Sequence, residues 1–274
     1  MKLPPPLSIQ PDYQAMPRIV YLANARSVFS VRWANYFASR GWEVHIITWR
    51  SFNNAAKLCS GVKVWRIGSP PVHAFRWMAF AEIMLHLIRL RPDIIHGHYL
   101  RTFGTLAGLS TCMMRTCPVV VSGWGPHGLS KCRQPLRRLV RIAVARADAV
   151  TASTDYLAGI LTKDYGVPHQ KLHCFSWGVD TSVFTPRTPL SSTEADERGE
   201  SSGSLPVVFS PRTASRHYRI DVLVRAISCL HGQGCRILLV VAAGAGADRN
   251  YLARLGRIVR DSGLCAAVSI IERP

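Results

Sequence analysis

The chain has 274 residues, 48% of them hydrophobic, enough to bury the core of one large or two ordinary domains. Its 34 lysines and arginines against 16 acidic residues give a formal charge of +18, a balance that favours nucleic acid, acidic lipid headgroups or phosphorylated small molecules as partners. No run of about 18 uncharged apolar residues occurs, so no membrane-spanning helix is expected. No Cys-x-x-Cys pair occurs among the eight cysteines, which argues against a zinc site.

Residues 1–16 are proline-rich and lack the apolar segment of a secretory signal; they read as a disordered lead-in, with Met16 as an alternative start. Together with cysteines scattered singly through apolar patterns, this fits a reducing cytoplasm. Arg18–Leu22 is a short apolar strand. Ser30–Arg40 has Trp33, Ala34, Phe37 and Ala38 at helical spacing, with Gly41 placed to stop the helix. Strands follow at Glu43–Thr48 and Val62–Ile67, then a helix over Ala74–Leu90.

From Pro92 to Leu129 two apolar strands, Ile94–His96 and Val119–Ser122, flank a predicted helix over Thr102–Met114. Each strand ends in a cluster of Gly, His and aromatic residues. Carboxyl ends of parallel strands are where open sheets hold ligands, so His96, His98, Tyr99, Trp124 and His127 are expected around one crevice. The plain alternative is that individual histidines are neutral, buried hydrogen-bonding residues. Beyond this stretch come a helix at Pro135–Arg146, a strand at Ala149–Ala152, a helix at Asp155–Tyr165 capped by Ser153 or Thr154, and a strand at Lys171–Phe175.

Composition changes after Phe184. Residues 188–204, with Glu194, Asp196, Glu197 and Glu200, are polar and aperiodic and read as a linker. A second alternation follows: strands at Val207–Ser210, Arg236–Val241 and Ala267–Ile271, and helices at Ile220–His231 and Tyr251–Ser262. Strands alternating with helices predict an α/β fold, a doubly wound parallel sheet with a partial second Rossmann-like domain. The domains are expected at 17–186 and 206–274, with 187–205 between them. The second alternation is half of a doubly wound domain, which predicts a truncated or incomplete unit. Its loop AAGAGADRN, with Gly244 and Gly246, follows a strand and opens a helix, where an anion is favoured. The arginines around 76–91 and 133–146 have two readings, solvated outer faces or a surface docking on anionic membrane.

Several motifs taken together resemble the family-4 glycosyltransferases of GT-B architecture. They are SVRWANYFASRGWEVHIIT, PDIIHGHYLRTFG, SGWGPHGL, RADAVTAST, FSWGVDTSVFTP and SPRTASRHYRIDVLVRAI, in order, over about residues 17 to 272. The resemblance implies transfer of a sugar from a nucleotide-sugar donor to an acceptor, usually with retention of anomeric configuration. It implies an acceptor-side first domain, whose cleft residues would be Asn24, Arg32, Trp33, Tyr99, Trp124 and Gly125, with His98 and His127 as catalytic candidates. It also implies a donor domain in which Arg212, helped by Arg216, Gly244 and Gly246, would bind the diphosphate.

This sequence departs from the family pattern at four places. Tyr218 stands where a lysine is common, Phe29 where a histidine is, and His127 where the aspartate of Trp-Gly-Ser-Asp is. The chain also ends before the family's paired-glutamate motif. No Asp-x-Asp occurs, so neither metal nor other cofactor is expected, the nucleotide-sugar being a substrate. Expected partners are that donor and an acceptor of the lipid-linked kind, with peripheral contact to the inner membrane face and a second chain completing the donor domain. Nucleic acid is not expected, for want of a basic-aromatic recognition motif. The alternatives are a non-catalytic or partner-dependent half of such an enzyme, and a nucleotide-sugar epimerase.

Overall fold

The structure, a computed structural model, describes residues 16–50, 58–68, 76–114, 117–125, 129, 132–182, 184–185, 205–244 and 247–271. The chain divides into two compact units, Met1–Asp180 and Thr181–Pro274. The polar stretch expected to link them lies outside the described residues up to 204.

In the first unit, β1 (Arg18–Leu22), β2 (Glu43–Trp49), β3 (Val62–Ile67), β4 (Ile94–His98), β5 (Val119–Gly123), β6 (Ala149–Ala152) and β7 (Leu172–Cys174) form one sheet. It is parallel throughout, in the order β3-β2-β1-β4-β5-β6-β7. The two-residue alternation of strands sorts side chains to opposite faces. Ile19, Tyr21, Val44 and Ile46 pack with Ala34 and Trp33 of α1 (Val28–Ala38). Val20, Leu22, Ile47, Ile95 and Val121 pack against α2 (Arg76–Leu90), α3 (Thr105–Ser110), α4 (Leu136–Arg146) and α5 (Asp155–Tyr165), which contribute Ile83, Ala107, Val140 and Leu157. With both faces covered, the strands read as near-continuous apolar runs, as parallel sheets do.

Two differences from the sequence expectation matter for the site. Strand β4 continues past His96 to His98. The helix expected over Thr102–Met114 is instead a π-turn at Leu100–Gly104 followed by the short α3. The cause lies in non-local packing. A Cβ on Gly97 would stand 2.5 Å from the Ala107 Cβ and 2.8 Å from the Gly104 Cα, so the chain after β4 folds back almost onto its own strand. Tyr99 makes the reversal at φ 60°, and its carbonyl accepts from the N–H groups of Thr102 and Gly104 at 2.8 and 3.1 Å.

Part of the arginine surplus is structural. Arg141 donates from Nε and Nη2 to the Asp164 carbonyl at 3.1 and 2.9 Å, at the C-terminal turn of α5. Lys171 donates to the carbonyls of Ala145 and Ala147 at the end of α4. Cations at helix C-termini contribute about 0.3–1 kcal/mol each when exposed. At the other end of α5, Thr154 is the cap, its hydroxyl accepting from the Leu157 N–H at 3.2 Å.

The second unit has β8 (Val207–Ser210), β9 (Leu238–Ala242) and β10 (Val268–Ile271) in a parallel sheet ordered β10-β9-β8, with helices α6 (Ile220–Gly232) and α7 (Arg249–Asp261). Val224, Ile227, Leu239, Val241 and Leu255 form its core. The buried Asp221 carboxylate accepts from the Tyr251 hydroxyl at 2.7 Å, joining the two helices. That bond, with Arg219 nearby, holds the carboxyl below its ordinary range.

Two glycines give opposite expectations. Gly97→Ala forces backbone and Ala107 apart and is expected to lower stability by about 1–3 kcal/mol or more. Gly159→Ala, inside α5 with nothing within 4 Å of the new Cβ, is expected to raise it by about 0.5–1 kcal/mol. Urea unfolding of both variants checks the pair; a neutral Gly97→Ala would show that the β4 reversal does not depend on this close approach.

Candidate functional site

The strand order reverses between β1 and β4, and open parallel sheets bind ligands at the carboxyl ends of strands at such a switch point. Asn24 follows β1, Tyr99 follows β4, and Trp124 and Gly125 follow β5. These four line a cavity of about 500 Å³, closed on other sides by Trp49 and Arg101. Arg32 and Trp33 line a neighbouring cavity of about 440 Å³ with Phe29, Phe175 and Trp177. Trp124 stands between the two, its ring 5.5 Å from Phe29 and 4.6 Å from Trp177.

Because β4 extends to His98, His96 and His98 point to the same face, toward Tyr21 of the neighbouring strand. Their rings are 4.5 Å apart, and each lies within 5.4 Å of the Tyr21 ring. His98 is fully buried beneath Trp124, ring centroids 4.2 Å apart, with Nδ1 sharing a 3.1 Å hydrogen bond with the Ser30 hydroxyl. The His96 Nε2 shares a 2.7 Å bond with Ser122, which bonds Thr151 in turn at 2.7 Å. Burial pushes His96 down to about 3 and His98 well below the ordinary imidazole range, the neighbouring His96 adding to the latter. Both rings are therefore neutral at physiological pH. The Tyr21 hydroxyl, His98 Nε2 and Trp124 Nε1 are buried without a hydrogen-bond partner among the described residues. A buried group left so costs about 1–3 kcal/mol, and three of them are concentrated under this crevice. His98 thus forms part of a neutral polar floor. His127, the other catalytic candidate, lies outside the described residues.

In the second unit the loops after β8 and β9 meet at the carboxyl end of the sheet. The Ala214 N–H donates to Ala243 at 2.9 Å, and the Asp248 N–H to Ala214 at 3.0 Å. Gly244, at φ 73°, sits against Thr213, whose Oγ1 would be 3.1 Å from an added Cβ. Arg212 lies on the same loop, its guanidinium 5.4 Å from the centre of the Tyr218 ring. Arg216 opens the 3₁₀ turn Arg216–Tyr218 that precedes α6. Asp248 caps α7, accepting from the Asn250 and Tyr251 N–H groups at 3.0 and 3.1 Å. Gly246 lies outside the described residues. Among the described residues no group of three or more His, Cys, Asp or Glu could hold a metal ion, and no helix is long and apolar enough to cross a membrane.

The sequence reading missed Tyr21, Ser30, Ser122 and Thr151 on the floor, and Trp177 on the wall. A usable signal existed for Ser122 and Thr151, since hydroxyls inside otherwise apolar parallel strands must find buried partners. For Trp177 periodicity offered none, and its one signal was its place in the motif FSWGVDTSVFTP; it reaches the crevice because β7 adds at the sheet edge and directs the following chain back toward α1.

The family model described as Glycosyltransferase Family 4 matches residues 27–183. A D-inositol 3-phosphate glycosyltransferase of Actinosynnema mirum is 27% identical, the alignment covering 91% of this chain and 65% of that relative. This chain therefore spans somewhat under two-thirds of that relative's length. Among solved structures, a glycosyltransferase of Rickettsia africae superposes with a TM-score of 0.70 at 16% identity, covering 96% of this chain and 69% of its own. Anabaena HepE, solved with UDP and glucose, superposes with a TM-score of 0.68 at 13% identity, covering 93% and 69%. At such identities these structures speak for the shared fold.

The buried histidines set a pH dependence of stability. Unfolded, a histidine takes up a proton near pH 6.5; folded, His96 resists it down to about 3. Below pH 6.5 the unfolded state binds more protons, so stability falls as pH drops from about 6.5 toward 3, by up to about 1.4 kcal/mol per pH unit for each such histidine. Glu43, held at about 2 chiefly by Lys63, loses its contribution only below its ordinary value of 4.5, outside the pH 7 to 5 comparison. Denaturant midpoints should fall between pH 7 and 5, and His96→Asn should lessen the fall. An equal fall in both proteins would show that His96 charges while folded.

Proposed function

The chain belongs to Glycosyltransferase Family 4, and from that premise we propose that it transfers a glycosyl group from a nucleotide-sugar donor to an acceptor with retention of configuration. The observation that carries this reading is the coincidence of the family match with the crevice. Residues 27–183 include the loops after β4 and β5 and every residue lining the aromatic cavity. HepE was solved with UDP and glucose, which makes UDP-glucose the first donor to test.

The chemical demand is the departing nucleoside diphosphate, on whose oxygens negative charge grows as the glycosidic bond breaks. Fixed cations and N–H donors aimed there stabilise the transition state. Arg212 is the residue proposed to meet those oxygens, because a planar guanidinium binds two at once. Its place over Tyr218 braces it, and Gly244 keeps the adjoining loop narrow enough for a ligand to approach the backbone. In the first unit, Trp124 and Tyr99 form the acceptor wall. His98 supports Trp124 from below as a neutral hydrogen-bonding group, leaving His127 as the proposed catalytic histidine. The reading includes peripheral contact with anionic membrane. Met78, Leu85 and Ile88 project from α2, each more than half exposed, with Arg89 and Arg91 at its end. An apolar stripe flanked by cations suits a headgroup boundary.

Calorimetric titration with UDP and UDP-glucose tests the donor half. Arg212→Ala is expected to weaken UDP by about tenfold or more, the scale of a lost charge-assisted hydrogen bond. Tyr218→Phe should weaken it little, since the ring face is kept. Undiminished UDP binding by Arg212→Ala would remove Arg212 from the donor site. Product analysis separates transfer from epimerisation, because an epimerase alters the nucleotide-sugar with no acceptor present.

A further inference from the structure

The aromatic cavity beside Trp124 is chemically unlike its neighbour. Phe29, Trp33, Tyr36, Phe37, Phe175 and Trp177 supply most of its lining, and Arg32 and Ser176 are the remaining side chains. At about 440 Å³ it is within the range that encloses a drug-sized molecule. Several of the rings touch, Phe29 on Trp177 at 4.2 Å and Tyr36 on Phe37 at 5.4 Å, yet two of them stay open to solvent. Tyr36 and Phe175 are 51% and 43% exposed, and large aromatics left open around a concavity mark a binding surface.

Three ligand classes could use aromatic walls. A quaternary ammonium suits an aromatic cage, but Arg32 lies in this one, and the chain carries a charge of +18. A free sugar stacks on aromatic faces but also needs several polar side chains converging on its hydroxyls, and those are in the other cavity, at Asn24, Arg101 and Thr102. The remaining class combines an apolar body with an anion. The rings would cover the body, and Arg32 would meet the anion. Arg32 is exposed and donates to the Gly178 carbonyl at 3.3 Å, and no acidic residue is among those lining the cavity. Trp124 lines the polar cavity and contacts both Phe29 and Trp177 of the aromatic one. Trp124 is thus a boundary shared by the two cavities.

We propose that the cavity between α1 and the segment Phe175–Trp177 binds an amphiphilic anion, an apolar chain or ring system bearing a phosphate or carboxylate, with the anion on Arg32. This deepens the transfer reading by naming the acceptor class, and it rests on that reading only for its place in the reaction. The binding itself needs no donor.

The probe is decyl phosphate below its micelle concentration, with tryptophan fluorescence as the readout, since Trp33 and Trp177 line the cavity. Wild-type protein should show saturable quenching that inorganic phosphate alone does not produce. Arg32→Gln should weaken decyl phosphate by about tenfold while leaving neutral decyl glucoside unchanged. Tyr36→Ala should weaken both several-fold. Both positions are exposed on α1, and thermal midpoints verify that the variants fold. Three results would overturn the assignment: no saturable quenching, equal affinity of wild-type and Arg32→Gln for decyl phosphate, or full competition by inorganic phosphate at comparable affinity. UDP titration in parallel keeps the two proposals apart. Loss of UDP binding with decyl phosphate retained would sink the donor reading and support this one; the converse would overturn this assignment alone.

Discussion

The first unit depends on the missing side chain at Gly97. With no Cβ there, the π-turn and α3 lie directly against β4, at separations that any other residue would forbid. The reversal drives Tyr99 to a positive φ, a conformation that costs of order 1–3 kcal/mol and persists only where surrounding packing over-determines it. Here the packing is Phe103, buried and stacked on Trp49 at 4.7 Å, and Leu100, buried against the sheet. The reversal leaves Tyr99 beside Trp124, ring centroids 4.7 Å apart. A π-turn at the end of a strand, next to the switch point of the sheet, is the kind of irregularity that accompanies ligand sites.

Charge is distributed in a way that total composition conceals. The crevice floor is neutral because burial disfavours imidazolium more than any nearby group favours it, and among the named contacts of His96 and His98 none is acidic. Part of the positive charge lies on or beside the helices, where some of it is already used. Arg141 and Lys171 answer the carbonyls at two helix ends. A basic helix face is therefore not by itself a ligand footprint. Arg32, Arg101 and Arg212 stand apart because each sits where a ligand could arrive, two in cavities and one on a loop at the carboxyl end of β8.

Two adjoining cavities with opposed character give the first unit its functional logic. One offers amide, hydroxyl and guanidinium groups at the strand ends; the other offers aromatic faces and one cation. Trp124 belongs to both, and its indole rests on the neutral His98. Holding that indole in one orientation is the mechanical role the buried histidines can fill without changing charge. Family membership gives this arrangement its chemical context, while the fold alone would be compatible with many chemistries.

Much of the fold was legible in the sequence because it rests on local periodicity. Apolar runs separated by helical patterns specify a parallel sheet covered on both faces, and β1, β3, β6, β8 and α5 lie at the residues the pattern indicates. The gathering of Tyr99 and Trp124 at one crevice was also legible, because both follow apolar strands and carboxyl ends share one edge. Other features were decided by tertiary structure alone. His98 sits in β4, buried, because the strand continues in register with β5 to the pairing of His98 with Ser122, until Tyr99 turns the chain at positive φ. The predicted helix gave way to a π-turn because Ala107 and Gly104 press on Gly97 from farther along the chain. Phe29 and Trp177, distant in sequence, meet at 4.2 Å only when β7 completes the sheet edge. Periodicity records which face of an element is buried; it carries no record of which distant side chain will bury it, and the aromatic cavity exists only where α1 meets one such distant segment, Phe175–Trp177.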